Sequence, residues 1–377
     1  MKRHPDAARR SIPDHEYVAG AADWSRRRFL RTAMSATIAA GVTLPGGPTS
    51  WLTSASTSRA DDVQHGGDGD RHETVRFVHF SDVHLRPDLD AAKGLRLAFE
   101  TAQSLTPRPS FVLFGGDMVH SVRSLDEANA KQRFNLFKYV LADCDLPARY
   151  CVGNHDVFGW SARSNVPETH AMYGKRMLQD ALTLPKTNHA FDAGAWRIYV
   201  VDDVLPFRSP EGDRGYQGGF TEETLAWLDT ELAAAGDRPK MICTHIPIVS
   251  AAVMSYLADT QQTTHALKTS LVVRNPKSML DLLAKYKVKL VLTGHLHQRE
   301  RITYEHTTFV GQGAVCGQWW QGTNRLTAEG FGVIDLHTDG QFDERYHVYG
   351  WTSPKQATAS PILRSSRDVL AYADAEV

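Results

Sequence analysis

From about Val75 onward, short runs of consecutive apolar residues take turns with longer amphipathic stretches, the pattern of an α/β chain. Val75–Phe80, Phe111–Phe114, Arg149–Val152, Trp196–Val201, Lys240–Thr244 and Val288–Thr293 read as strands. The periodicity predicts helices over 88–105, with Leu95, Phe99 and Ala102 on one face, and over 126–142, with Phe134, Phe137 and Leu141 in register. Two more helices are predicted over 221–235 and 277–286, and after residue 300 the pattern changes to short β segments at Arg301–Tyr304, Thr307–Val310, Phe331–Leu336 and Arg345–Tyr349. The 30 residues between His245 and Pro276 carry only a short helical signal at Ala251–Leu257. They read as a lid, an oligomer contact or a loop without fixed structure.

The composition excludes a disordered tail protein, a collagen-like chain and a polytopic membrane protein: 42% of the 377 residues are hydrophobic, and 42 Lys and Arg stand against 43 Asp and Glu. The balance hides two unlike parts. Nine of the basic residues but only four of the acids fall in residues 1–60, so the remainder carries 33 basic against 39 acidic side chains. An acidic body disfavours nucleic acid as a partner. Four cysteines without a CxxC pair (Cys144, Cys151, Cys243 and Cys316) indicate neither a disulfide scaffold nor a cysteine zinc site.

The basic block contains Ser25-Arg26-Arg27-Arg28-Phe29-Leu30-Arg31, which looks like a twin-arginine export signal. The apolar run that follows, Thr32–Leu44, is too short and too mild for an ordinary bilayer span, so a membrane anchor is expected only if the signal stays uncleaved. Ser58-Arg59-Ala60, or alternatively Thr53-Ser54-Ala55, offers the small residues a signal peptidase reads. The expected organisation is a signal peptide over 1–60, a flexible stretch over 61–74, one α/β domain over 75–350 and a tail over 351–377. The expected location is periplasmic, cell-surface or secreted, with the twin-arginine translocase as a partner during export.

Five strands end in polar clusters: Ser81-Asp82-Val83-His84, Gly115-Gly116-Asp117, Gly153-Asn154-His155-Asp156, Thr244-His245 and Thr293-Gly294-His295-Leu296-His297. The carboxyl ends of strands line the binding crevice in open α/β sheets, so these groups are expected to converge. Asp82 and His84 are two apart, which on a strand places them on the same face, and His295 and His297 repeat the spacing. Histidine, aspartate and asparagine donors without thiolates suit Mn, Fe, Zn, Co or Ni, and the ligands are too many for one tetrahedral ion. A pair of ions sharing a carboxylate is the natural use.

These clusters, in this order, resemble the calcineurin-like metallophosphoesterase superfamily over roughly residues 75–350. The resemblance implies a β-sandwich of two mixed sheets flanked by helices in α-β-β-α layers. It further implies that Asp82, His84 and His297 bind a first metal, that Asn154, His245 and His295 bind a second, and that Asp117 bridges the two. A metal-activated hydroxide would attack phosphorus. His155 would protonate the leaving alkoxide or hydrogen-bond a phosphoryl oxygen, with Asp82 or Asp156 orienting it.

Two departures narrow the group. His120 stands where purple acid phosphatases carry a tyrosine, and the arginines that protein phosphatases place beside these motifs are missing. The chain looks most like the bacterial cyclic-nucleotide-phosphodiesterase-like branch, through Phe220–Leu228, Thr244–Pro247 and Gly313–Gly322. The expected activity is hydrolysis of a small phosphodiester or phosphomonoester. The alternatives are a broad phosphomonoesterase for phosphate scavenging and a non-catalytic binder of a phosphorylated ligand. Trp160, Trp319 and Trp320 are the candidates for stacking on a substrate base or covering an apolar leaving group. Arg163, Arg208 and Arg214 are candidates for meeting a phosphate.

Overall fold

Strands β1 (Val75–Phe80), β2 (Val112–Phe114) and β3 (Ala148–Tyr150) run parallel, with β3 at the edge, in the first sheet of the computed structural model, which describes residues 74–256 and 267–355. The export signal, its cleavage sites and most of the tail lie outside the described residues. Two antiparallel strands, β12 (Gly330–Leu336) and β13 (Phe342–Val348), complete this sheet in the order β13-β12-β1-β2-β3.

The second sheet contains β4 (His189–Ala193), β5 (Trp196–Val200), β8 (Lys240–Cys243), β9 (Leu290–Thr293), β10 (Glu300–Tyr304) and β11 (Thr307–Gly311). Its order is β10-β11-β9-β8-β5-β4, parallel in the middle and antiparallel at both edges. A separate hairpin joins β6 (Val204–Arg208) to β7 (Arg214–Gly218).

Residue alternation explains why the central strands are apolar on both faces. Phe77, Leu113, Cys151, Ile198, Met241, Leu292 and Ile334 form one buried cluster, drawn from both sheets and therefore lying between them. Their neighbours in the chain, Val78, Phe80, Phe114, Tyr199, Ile242 and Val291, belong to a second cluster that includes the helices. Phe99 of α1 (Ala91–Gln103) stacks 5.6 Å from Phe80, and Phe137 of α2 (Glu127–Leu141) lies edge-on 5.3 Å from Phe114. Tyr199 donates to the Glu231 carbonyl of α4 (Glu222–Ala234) at 3.0 Å, which places that helix on the second sheet. Strands covered on both faces read as continuous apolar runs, which is how they appear in the chain. The layers are helix, sheet, sheet, helix, as expected.

Caps set the helix starts. Asp126 accepts from the Asn129 backbone N–H at 2.9 Å, Thr221 accepts from that of Thr224 at 3.0 Å, and Pro276 opens α5 (Pro276–Lys285). Helix α3 (Arg176–Leu182), strand β4 and the β6–β7 hairpin were not legible from periodicity. β6 shows why: it pairs only with β7, contains Pro206 and exposes three of its five residues, so it lacks an apolar signature. The helical signal at 251–257 is a 3-10 turn over Ala252–Tyr256. Trp351 packs 6.0 Å from Trp320 and Ser353 donates to the Trp320 carbonyl at 2.7 Å, so the first residues of the tail are part of the packed domain. Among the described residues no helix is long and apolar enough to cross a membrane.

Candidate metal centre

All five polar clusters meet beyond the ends of their strands, but not through strand alternation. Asp82 and His84 follow β1 in the left-handed region, with φ of 54° and 42°; Asp117, His295 and His297 do the same at 55°, 70° and 52°. The expectation that each pair shares a strand face is thus corrected: the backbone has already left the strand, and a left-handed turn aims the side chains. Non-glycine residues hold such angles at about 1–3 kcal/mol each, and only where the surroundings dictate them. Here the surroundings are neighbouring loops. Asp82 and His84 donate backbone N–H bonds to the Gly116 and Asp117 carbonyls at 3.2 and 2.8 Å, and His295 donates its own to the Asp82 carboxylate at 2.9 Å. Glycine is required where these loops touch. A Cβ on Gly153 would collide with the Asp117 amide and carboxylate, and one on Gly294 with Ser81 Oγ and Asp82 Oδ2.

The side chains form two poles joined by one oxygen. Asp117 Oδ2 lies 3.4 Å from His84 Nε2 and 3.2 Å from His245 Nε2, while its Oδ1 accepts the His155 backbone N–H at 2.7 Å. At the first pole His297 Nε2 is 3.1 Å from His84 Nε2 and 3.4 Å from Asp82 Oδ1. At the second, His245 Nε2 is 3.0 Å from Asn154 Oδ1, and ligand atoms of His295, His245 and Asp117 all lie within 4.8 Å of one another. The structure therefore brings together Asp82, His84, Asp117, Asn154, His245, His295 and His297, in the two groups that the resemblance implied.

Backbone carbonyls fix the histidine tautomers. A carbonyl oxygen only accepts, so Nδ1 of His245 donates to Gly115, Nδ1 of His297 to Gly317, both at 2.8 Å, and Nε2 of His295 to Ser270 at 2.7 Å. The remaining ring nitrogens turn lone pairs toward other acceptors. Burial opposes charge on His245, but Asp117 outweighs it and pushes the imidazole up to about 10. At His297 burial is likewise overcome, here by Asp82, and the imidazole is raised well above its usual range. Burial alone would raise Asp82 and Asp117, yet His297 and His245 hold them below the usual carboxylate range. Both poles thus demand positive charge between their acceptors. A proton meets that demand, and so does a divalent cation, for which buried carboxylate, amide and imidazole donors are the right chemistry.

His155 packs edge-on to His84 at 4.8 Å between ring centroids and lies 5.0 Å from Trp319. Burial, reinforced by Arg123, His84 and His120 and only partly offset by Asp117, holds it well below the usual histidine range. The neighbouring Asp156 holds backbone. Its carboxylate accepts three backbone N–H bonds, from Asp117 at 2.9 Å, Gly153 at 3.0 Å and Val119 at 3.2 Å, and so ties the second cluster to the third.

The tryptophans separate. Trp319, half-buried, has its ring 4.0 Å from that of His84 and 5.2 Å from that of His297, at the mouth of the site. Trp320 is turned away: it is fully buried, lies against Gly94 of α1, and its indole N–H donates to the Val83 and His84 carbonyls at 2.9 and 3.1 Å. Trp160 is buried against Gly174 with Lys175 5.6 Å over its ring. Core packing therefore replaces the substrate role expected for Trp160 and Trp320.

A cavity of about 380 Å³ adjoins the second pole. Tyr216, 6.2 Å from the His295 ring, and Ser270, the acceptor for His295, belong to its wall. Arg123, Arg214 and Lys268 line it against the single acid Asp213, and the Arg123 guanidinium sits 5.0 Å over the Tyr216 ring. Of the loop arginines singled out from the sequence, Arg214 reaches this wall, Arg208 pairs with Glu168 and Arg163 is exposed. Arg123 was missed, although its position six residues after Asp117 placed it in the same loop.

A two-sheet α/β sandwich with paired His/Asp poles at its strand ends defines a metal-dependent phosphoester hydrolase. The calcineurin-like phosphoesterase family matches residues 75–299, more than half of the chain, and the protein belongs to it. A 3',5'-cyclic-nucleotide phosphodiesterase of Nostoc sp. is 20% identical over 298 residues, covering 76% of this chain and 97% of the relative. A bovine serine/threonine-protein phosphatase is 26% identical over 62% of this chain and 68% of its own length. A glycerophosphodiester phosphodiesterase of Enterobacter lignolyticus is 26% identical over 45% of this chain and 56% of its own.

Proposed function

We propose that this chain is an exported phosphodiesterase that holds two metal ions and hydrolyses a small organic phosphodiester. The observation that carries the two-ion reading is the placement of one Asp117 oxygen between His84 and His245, with separate sets of donors on either side. Asp82, His84 and His297 hold one ion; Asn154, His245 and His295 hold the other. Bound divalent cations supply a water of lowered pKa and the positive charge that phosphoester hydrolysis requires.

The chain's own residues do the rest. Asp156 and Ser81 lock the carboxylates and loops, the latter through a 2.6 Å bond to Asp82. His155, neutral near neutral pH, donates a hydrogen bond to a phosphoryl oxygen or to the leaving oxygen. Of the two roles implied for it, this fits its electrostatics better than delivering a proton from an imidazolium. Trp319 covers the first pole, and the basic cavity beside the second receives an organic group of the diester.

Two of the relatives are named for diester substrates, which supports a diesterase, and the bovine phosphatase supports a monoesterase as the second reading. An aryl phosphodiester and the corresponding monoester separate them: kcat/KM is expected to favour the diester by at least about tenfold, or about 1.4 kcal/mol in the barrier. A preference for the monoester overturns the diesterase reading.

Export rests on Ser25–Arg31. Changing Arg26 and Arg27 together to Lys is expected to retain the chain in the cytoplasm, and undiminished export of that variant would remove the twin-arginine route.

A further inference from the structure

We infer that Cys316 is a thiolate ligand of the ion at the first pole, an inference that rests on the metal centre proposed above. Its sulfur and ring nitrogens of His84 and His297 all lie within 4.8 Å of one another, and all three residues are buried. Around a tetrahedral zinc ion, with Zn–S near 2.3 Å and Zn–N near 2.1 Å, sulfur and nitrogen stand about 3.6 Å apart, so side-chain closure of up to about 1 Å lets the three share one ion.

The backbone holds this arrangement in place. Cys316 donates its N–H to the Asp82 carbonyl at 3.3 Å, and Val315 donates to that of Ser81 at 2.9 Å, so the loop carrying the thiol is stitched to the loop carrying Asp82 and His84. Gly317, at φ 55°, then turns the chain so that its carbonyl receives His297 Nδ1–H, which leaves His297 Nε2 facing the pole. The thiol itself is 3.6 Å from that same carbonyl, a weak partner already taken by His297. Ion binding would release the thiol proton to solvent and leave sulfur as the donor.

Of the other cysteines, Cys151 and Cys243 lie between the sheets, with Cys243 3.8 Å from His79, and Cys144 is half-buried on the rim of the other core cluster. Only Cys316 is placed to reach the centre. A soft donor at one pole and none at the other makes the two poles unequal: the first prefers zinc or another thiophilic ion, while the second retains the nitrogen and oxygen preference of its imidazole and amide ligands.

Spectroscopy of the loaded full chain tests this without reference to turnover. The cobalt(II) form should show a sulfur-to-cobalt charge-transfer band in the near ultraviolet that is absent from Cys316→Ser and retained in Cys151→Ser and Cys243→Ser. Zinc X-ray absorption should require one sulfur at about 2.3 Å in the unaltered protein and none in Cys316→Ser, whose zinc affinity should fall at least about tenfold. If Cys316→Ser does not fold, the zinc spectrum of the unaltered protein decides alone. Metal bound with only nitrogen and oxygen neighbours overturns the role of Cys316 and leaves the two-pole centre standing. No metal uptake by the unaltered protein overturns both.

Discussion

Replacing Asp117 by Asn is expected to lower metal content at both poles and to reduce hydrolysis by at least about 10²–10³-fold, the scale on which loss of one charge-stabilising group is felt. The reason is geometric. One carboxylate oxygen stands within 3.4 Å of His84 and 3.2 Å of His245, so its charge is shared, and an amide offers neither the charge nor a second equivalent oxygen. Metal analysis of the purified variant beside a phosphoester assay checks this; full activity with metal absent would sink the mechanism. A pH dependence accompanies it. His245 is raised to about 10, above an unfolded value of about 6.5, so in the metal-free protein its protonated pairing contributes stability below pH 6.5 and loses it as pH rises through 10. A metal ion replaces that proton, so metal affinity should rise with pH across the neutral range, and the Asn variant should show a lower His245 pKa by NMR.

Changing His155 to Ala is expected to lower kcat by about 10²–10⁴-fold while metal content stays unchanged, because in the proposed mechanism this ring, although a nitrogen of it lies within 4.8 Å of donor atoms of His84 and Asp117, serves the reacting phosphoester and not an ion. The hydrogen bond of this residue to Asp117 is through its backbone N–H, which alanine keeps. Steady-state kinetics with metal analysis of the same preparation separates this outcome from a collapsed site. A variant that loses metal would show that the imidazole supports the centre instead of the substrate.

Element positions were largely legible because the central strands β1, β2, β5, β8, β9, β11 and β12 are buried on both faces and the longer helices present one apolar stripe. The β6–β7 hairpin was not, since its signal depends on what it covers, and Tyr216 on β7 matters only through its approach to His295. Among the tryptophans, sequence proximity to a motif treated Trp319 and Trp320 alike. Their backbones are similar as well, with φ of 55° and 64°, yet successive side chains leave a turn in different directions, one toward His84 and one into the core against Gly94. Asp156 was singled out from its motif, but that its carboxylate meets three backbone N–H groups, of Asp117, Gly153 and Val119, no sequence signal announces.

By itself the sequence determined the donor inventory, its order along the chain and the layers that carry it, because residue chemistry and burial periodicity are local properties. Only the tertiary structure decided how those donors divide. Five of them lie at positive φ, an angle that no residue preference announces, and it is the facing loops that enforce it. The sharing of Asp117, the histidine tautomers and the approach of Cys316 all arise from backbone carbonyls and amides brought together across long stretches of chain, and such contacts exist only once the two sheets have closed on each other.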